Sequence, residues 1–463
     1  METSEQKKLY KIPCPKCKGQ GIVAQRKKAS KQKTKSQKIC NSCNGSGLIN
    51  SLETVPINYK LPKVAIIGGG IGGMALAAAC YHRGIPFTLY ERDSHFKERS
   101  QGYGLTLQQA SKALKGFGIN HLKEGITSTK HIVYKTDGTV IGEWGMRKWL
   151  KNEGVIEDEV VNENQIKNRS KKTNIHIARQ ALRLELLNQI KSTDLVKWNH
   201  RFVSYSETEN GQQCIKFEVE GNIITKNHDL IVGADGIRST LRKQLLGNNY
   251  KPLRYLDCVV ILGICPLSNL KGVKSDLLDL KTVFQTANGN ERMYMMPFSE
   301  DSIMWQFSFK MNEEEAIILS KEGSEALKFE TYKRTQWHSP IPEIIDATPE
   351  KNISGYPVYD RTTLNPEDFI DKNAVTLIGD AAHPMSPFKG QGANQAMLDA
   401  LDLAKLITKH QNWQEKGIRK TVLNLFEKSM LKRSAKKVKA SAEAAKLLHS
   451  EIILKEKNAP RGR

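Results

Sequence analysis

The chain lacks any apolar run approaching the roughly twenty residues that a membrane-crossing helix needs. Met1 to Lys11 hold no hydrophobic stretch of the kind a secretory signal requires, so the expected compartment is the cytoplasm. Acid is scarce relative to base: 49 Asp and Glu stand against 71 Lys and Arg among 463 residues, a net charge of +22. That balance favours contact with anions and says nothing about fold. Much of the excess lies in residues 7–38 and 416–463, which reads as solvated basic segments, with a protein or anionic partner left open for the first of them. Cysteine is sparse outside one array. Cys80, Cys214, Cys258 and Cys265 are scattered in apolar or strand-like surroundings, as inert thiols of a reduced compartment would be.

What is present is enough chain for two or three domains with sizeable cores. The organising stretch is Lys63 to Ala77. Val64 to Ile67 is a short β-branched apolar run, typical of a buried parallel strand. The glycines of Gly68-x-Gly70-x-x-Gly73 follow at once, with Ile71 and Gly72 between them, and a small-residue helix over Met74 to Tyr81 comes next. Gly68 permits the tight turn, Gly70 lets a pyrophosphate reach the backbone, and Gly73 lets helix and strand pack closely. The helix start presents free N–H groups and a positive dipole end to phosphate. A second strand, Pro86 to Tyr90, ends at Glu91, about twenty residues past the glycines, where an acid can accept hydrogen bonds from both ribose hydroxyls. Strand, turn, helix, strand and acid in one unit predict a dinucleotide site.

Two CxxC pairs, Cys14/Cys17 and Cys40/Cys43, have matched spacing. Each puts two thiolates on a tight knuckle, and together they suit a closed tetrahedral zinc site, structural in role because no coordination position stays open. The alternative is a redox dithiol pair or unmetallated loops. Gly19, Gly21, Gly45 and Gly47 follow the knuckles and can free backbone N–H groups for the sulfurs. The repeats resemble the CxxCxGxG units of the zinc-binding module in DnaJ-type chaperones. That family has four units and two zincs; the two units here imply one structural zinc. Ala24 to Lys38 is expected to be a polar loop, and Ser51 to Pro62 a linker.

Further along, Arg92, Arg99, Gly102 and Gly104 follow the second strand. Residues 108–124 have Ala110, Leu114 and Phe117 at helical spacing, and residues 131–145 predict a hairpin around Asp137-Gly138. Residues 151–172 read as an exposed polar excursion, Ile177 to Leu187 as an amphipathic helix carrying Arg179, and residues 195–226 as a strand meander. A buried strand then ends in Gly233-Ala234-Asp235-Gly236. As bare chemistry this is a turn with an N-cap serine. Leu256 to Pro266, Met293 to Phe298 and Ser302 to Phe309 predict a sheet, with Met295, Trp305 and Phe307 as either core or pocket lining. Val375 to Ile378 then runs into Gly379-Asp380, a loop through His383 and Pro387, and Gly390-Gln391-Gly392-Ala393-Asn394 opening a helix. His383 reads as structural. A long basic helix spans 421–450, and Lys455 to Arg463 is expected to be disordered.

From Tyr90 onward these motifs resemble the FAD-binding domain of single-component flavoprotein monooxygenases, the group of para-hydroxybenzoate hydroxylase and the tetracycline-inactivating oxygenases. The resemblance covers about residues 63 to 450. It implies an α/β fold: a Rossmann-like FAD domain of the glutathione-reductase type, a β-sheet substrate domain, a C-terminal helix and the small zinc ribbon. It implies FAD contacts at Gly68, Gly70, Ile71, Gly72, Gly73, Glu91, Arg92, Arg99, Gly102 and Arg179. The later motifs add Asp235, Gly379, Asp380, Pro387, Gly390, Gln391, Gly392, Ala393 and Asn394. Ala181 and Lys389 depart from the family's usual Asp and Gly.

The implied reaction reduces FAD with NADPH or NADH, adds O₂ to give a C4a-hydroperoxide, and hydroxylates or epoxidises an aromatic or polyene small molecule. The cofactor does the chemistry, so no catalytic side chain is named. Two alternatives share the motifs: a non-oxygenating flavin reductase, and a catalytically silent zinc and flavin binding protein. The Trp-x-Trp-x-Ile-Pro motif of flavin halogenases is absent, as is the second GxGxxG of disulfide reductases. The expected divisions begin with a zinc module (1–55), an FAD-binding segment (61–195) and a meander with the Asp-Gly motif (196–248). A substrate sheet (249–358), a second FAD-binding segment (359–410) and a helix with basic tail (411–463) follow.

Overall fold

A computed structural model describes residues 9–25, 36–98, 102–148, 174–370 and 372–461. Arg99, the excursion over 151–172 and the middle of the 24–38 segment lie outside the described residues. At the ends of that segment the expected loop is strand instead: Ile22–Gln25 pairs antiparallel with Ser36–Ile39.

The dinucleotide unit forms as its pattern dictates. Val64–Ile67 is fully buried and is the middle strand of a five-stranded parallel sheet. Its neighbours in order are Val196–Lys197 and Phe87–Tyr90 on one side, Leu230–Gly233 and Val375–Leu377 on the other. Helix α1 (Ile71–Tyr81) is Ala-rich and buried along most of its length. It starts earlier than Met74 because Gly70 caps it in extended conformation. Helix α2 (Arg179–Leu187) buries Leu182 and Leu186 on the same core, and α3 (Gly392–Lys409) packs against α1 where Gly72 faces Ala396. Residues 108–124 do not make an α-helix. Only 3-10 turns form, at Gln109–Lys112 and Leu114–Phe117, although Ala110, Leu114 and Phe117 are buried as the spacing requires. Gly118 at φ +87° ends the second turn in left-handed conformation.

The second body is a seven-stranded sheet. Its strands run in the order Val140–Trp144, Lys130–Lys135, Thr282–Ala287, Glu291–Ser299, Ser302–Lys310, Arg254–Pro266, Ile353–Asp360. The hairpin at Asp137-Gly138, expected inside 61–195, therefore extends this sheet, through a parallel pairing of Lys130–Lys135 with Thr282–Ala287.

Alternation along the strands decides which side chains face which layer. Met295, Trp305 and Phe307 fall on the face covered by helices Glu313–Lys321, Ser324–Arg334 and Ile341–Ala347, within one apolar cluster. The pocket-lining role considered for them belongs to the opposite parity: Arg292, Tyr294, Met296, Met304 and Gln306.

Helix α4 (Asn424–Leu448) crosses both bodies. The expected disordered tail is laid down as far as residue 461 along the sheet's edge strand. Lys457 N–H donates to the Ile141 carbonyl (3.0 Å), Arg461 Nη2 donates to the same oxygen (2.9 Å), and Glu143 N–H donates to Asn458 Oδ1 (3.0 Å). An unpaired edge strand exposes free peptide groups, and the tail satisfies some of them.

The tightest packing constraint lies at Gly73. A Cβ there would sit 1.9 Å from the Gly68 carbonyl oxygen. Gly73→Ala must push helix from strand, and we expect it to lower stability by about 1–3 kcal/mol, read as a fall in the urea midpoint at unchanged slope.

Candidate functional site

Two sites can be built from the chain, one cavity and one sulfur cluster.

The cavity, about 1310 Å³, lies between the parallel sheet and the seven-stranded sheet. This exceeds the ~300–1,000 Å³ of a typical single-ligand site, so it can hold a dinucleotide and a second molecule. Its dinucleotide side is lined by Gly68, Gly70, Ile71, Gly72, Glu91, Arg92, Arg179, Asp235, Gly379, Asp380, Pro387, Gly390, Gln391, Gly392 and Ala393. Three expected residues do not line it. Gly73 is buried beneath the turn, and Gly102 is exposed near Ile264. Asn394 is a buried staple: its Oδ1 accepts from Gln108 N–H (2.9 Å) and Ala110 N–H (3.1 Å), while Nδ2 donates to the carbonyls of Thr106 (2.9 Å) and Gly390 (2.7 Å). It fixes the loop that begins at Gly390.

At the glycine turn, the Glu91 carboxylate accepts from the N–H of Gly69 (2.5 Å) and of Asp93 (3.1 Å). Its place at the end of strand Phe87–Tyr90 is thereby rigid. Arg179, at the start of α2, lies over Tyr103 and beside Gly70. Arg183, one turn later, is absent from the residues expected on sequence. It lines the cavity, and its Nε donates to the Gly69 carbonyl (2.6 Å) while its guanidinium stacks on Phe96. The sequence does carry a signal for it, because positions four apart share a helix face.

Asp235 Oδ2 accepts from Leu241 N–H (3.2 Å), while Oδ1 is buried without a partner among the described residues. Burial pushes its carboxyl above the usual range, against hydrogen bonds from Ser239 and Leu241. The Ser239 cap on Arg242 N–H (2.8 Å) shows that the turn-and-cap reading also holds.

Asp380 sits on the Gly379 turn, open to the cavity's solvent but walled by protein. Burial, aided by Asp399, pushes its carboxyl up; His383 and Arg179 oppose this. The turn is pinned from behind. Asp399, fully buried, accepts from Gly379 N–H (3.0 Å), from His383 Nε2 (2.6 Å) and from Arg433 Nη2 (2.5 Å). Burial would raise the Asp399 carboxyl, but His383 and Arg433 hold it below the usual range. His383 is thus structural, as its sequence context suggests.

The first turn of α3 begins at Gly392, and its N–H groups have no partner within the helix. They open on the cavity beside Asp380, whose Oδ1 would lie 3.5 Å from a Cβ at Gly392. An orphaned acceptor, a glycine cradle and a helix N-terminus around one chamber fit a nucleotide cofactor with an electron-rich ring.

The sulfur cluster is formed by Cys14, Cys17, Cys40 and Cys43, all buried, their Sγ atoms within 4.8 Å of one another. Cys14 and Cys40 sulfurs are 3.9 Å apart, and those of Cys17 and Cys43 are 3.7 Å apart. A tetrahedron with Zn–S bonds of about 2.3 Å has S–S edges of about 3.8 Å. Gly21 N–H donates to Cys17 Sγ (3.1 Å) and Gly47 N–H to Cys43 Sγ (3.3 Å), as the glycine spacing implies. The two knuckles interlock: a Cβ on Gly21 would meet the Gly45 carbonyl at 2.3 Å, and one on Gly47 the Gly19 carbonyl at 2.3 Å. The donor set and spacing fit one zinc. Of the scattered thiols, Cys80 and Cys258 are pushed up to about 12 by burial and stay protonated, and Cys214 is half-buried.

A model of the FAD binding domain family matches residues 62–421. The aurachin C monooxygenase/isomerase of Stigmatella aurantiaca is 28% identical over 348 residues, covering 74% of this chain and 80% of that protein. The FAD-dependent monooxygenase thnD of Trichoderma harzianum is 24% identical over 413 residues, covering 82% and 92%. Among solved structures, Klebsiella pneumoniae HpxO complexed with FAD and uric acid superposes with TM-score 0.67 at 19% identity, covering 84% of this chain and 88% of that one. The 2,6-dihydroxypyridine-3-hydroxylase of Arthrobacter nicotinovorans gives TM-score 0.69 at 15% identity, covering 87% and 95%.

Two outcomes are expected. Asp399→Asn strands His383 and Arg433 around a weaker acceptor and should cost on the order of 3–5 kcal/mol, measured by chemical denaturation. Metal analysis of the purified protein should find one zinc per chain, and Cys40→Ser should lose it.

Proposed function

The chain belongs to the FAD binding domain family, and on that basis we propose that it is an FAD-dependent monooxygenase which uses NAD(P)H and O₂ on an acidic aromatic small molecule. The observation that carries this reading is that the two distant glycine segments, at Gly70 and at Gly390, open on one cavity that also has a separate apolar wall. Bound FAD, reduced by NAD(P)H, supplies the oxygen-transfer chemistry: one atom of O₂ goes to substrate and the other leaves as water.

The residues serve binding, orientation and exclusion of water. Gly70 and the start of α1 receive the diphosphate, with Arg179 alongside. Glu91 accepts from the ribose. Asp380 and the N-terminus of α3 would hold the cofactor on the far side of the cavity, where the helix dipole would favour negative charge. Met296, Met304, Leu262 and Val283 form an apolar wall of the cavity on the seven-stranded sheet and would keep water scarce.

The substrate's class follows from Arg292. This guanidinium is 5% exposed and lines the cavity. Its Nε donates to Gln285 Oε1 (2.8 Å), and it lies over the Tyr294 ring. Burial lowers it to about 10, so it remains charged at neutral pH. No acidic residue pairs with it among the described residues. A buried cation left without a carboxylate calls for an anionic ligand. A planar phenol, enol or carboxylic acid provides the charge, and the stacked His131 and Trp144 provide a flat neighbour.

The test is NAD(P)H oxidation with oxygen uptake, screened over acidic phenols and enols against neutral isosteres. Acidic members should stimulate turnover. Arg292→Met should retain the yellow cofactor and raise KM for them by about a hundredfold, in line with the ~2–5 kcal/mol of a truncated buried charge pair. Equal stimulation by neutral isosteres would defeat the substrate assignment. Stimulated NAD(P)H loss without oxygen uptake would favour the reductase alternative.

A further inference from the structure

The metal ribbon docks on the back of the dinucleotide domain, at the far ends of the two helices that face the cofactor. Gln20 Nε2 donates to the Lys405 carbonyl (2.9 Å) in the last turns of α3. Arg83 follows α1 and is 3% exposed. Its Nη1 donates to the carbonyls of Ala79 (3.1 Å) and Gly116 (3.0 Å), and Gly116 lies against the ribbon's Ser46 carbonyl. Its Nε and Nη2 are buried without partners among the described residues.

A buried guanidinium with two idle N–H groups is costly unless a negative charge stands near. The charge-favouring neighbours of Arg83 are the thiols of Cys80 and Cys17, and Cys80 stays neutral. Lys405 is half-buried, is repelled by Arg83, and is favoured by Asp402, Cys17 and Cys43. Both cations are thus favoured by the Cys17 sulfur of the ribbon, and Lys405 by that of Cys43 as well. Four thiolates around one divalent metal carry a net charge of −2, which matches them. The helix carbonyl ends at this place are themselves negative, so an uncompensated dianion would be repelled.

We propose that the metal-loaded ribbon is a dianion neutralised by Arg83 and Lys405, and that it clamps the C-terminal ends of α1 and α3, so that zinc occupancy and FAD affinity are linked. The proposal rests on the FAD reading above. Linkage is reciprocal: what zinc does for FAD, FAD must do for zinc.

The experiment uses the full chain. FAD affinity is measured by flavin fluorescence on zinc-loaded and chelated protein, and zinc affinity by competition with a chromogenic chelator, with and without saturating FAD. We expect zinc removal to weaken FAD by about 5- to 150-fold, the usual span of allosteric coupling. Saturating FAD should tighten zinc by the same factor. Arg83→Gln and Lys405→Met should each surrender zinc at lower chelator concentration. Should Arg83→Gln fail to fold, the more exposed Lys405→Met carries the test. FAD affinity unchanged within twofold on zinc removal, with the fold retained by circular dichroism, overturns the linkage. Zinc retention unchanged in a folded Arg83→Gln or Lys405→Met variant overturns the charge match. A protein that binds no FAD at all would defeat the functional reading, while zinc retention in the two variants would still decide the charge match.

Discussion

The whole architecture turns on a contact that no side chain could occupy. The Cα of Gly73 rests on the carbonyl of Gly68, so α1 lies directly on the end of its strand. That closeness aims the helix N-terminus at the chamber, puts Gly72 against Ala396 of α3, and lets Ala234 cross over Gly68. The approaches at Gly73 and Gly68 use the absence of a Cβ, and together with the contact at Gly72 they bring the glycine turn and the Gly390 loop to one wall. The Asp399 tie to Gly379, His383 and Arg433 then holds that second loop in place with charge buried away from water.

Features written in local constraint are legible in the sequence. The glycine turn, Glu91 and the CxxC knuckles each need particular residue types at fixed spacing, and the structure sets Glu91 against the glycine turn and the four sulfurs within 4.8 Å of one another. The hairpin at Asp137-Gly138 is legible for the same reason. Its sheet partner is not, because a pairing with residues about 150 positions away leaves no local trace.

Other departures have specific causes. The face of Ser302–Lys310 that lines the cavity cannot be told from sequence because the strand is buried on both sides, save for its last residue. Period-two alternation carries no information when both faces are covered. The segment 108–124 has helical spacing of its apolar residues, yet it forms two short 3-10 turns that meet at Ala113, the second ended by Gly118, and their buried side chains are the same. The docked tail near Ile141 has the composition of a solvated basic end. One backbone N–H, the Asn458 side-chain amide and the Arg461 guanidinium complete the sheet edge, and composition alone does not show that.

The two-sided sheet has a consequence for how such a protein changes over time. On adjacent positions of one strand, Trp305 anchors the helix layer through Thr348 while Met304 and Gln306 look into the chamber. Selection can rewrite every second letter to suit a new molecule without disturbing the letters between, which keep the body solid. Novel chemistries can therefore be explored within an unchanged skeleton, and the neutral drift of one face is uncoupled from the purifying pressure on the other.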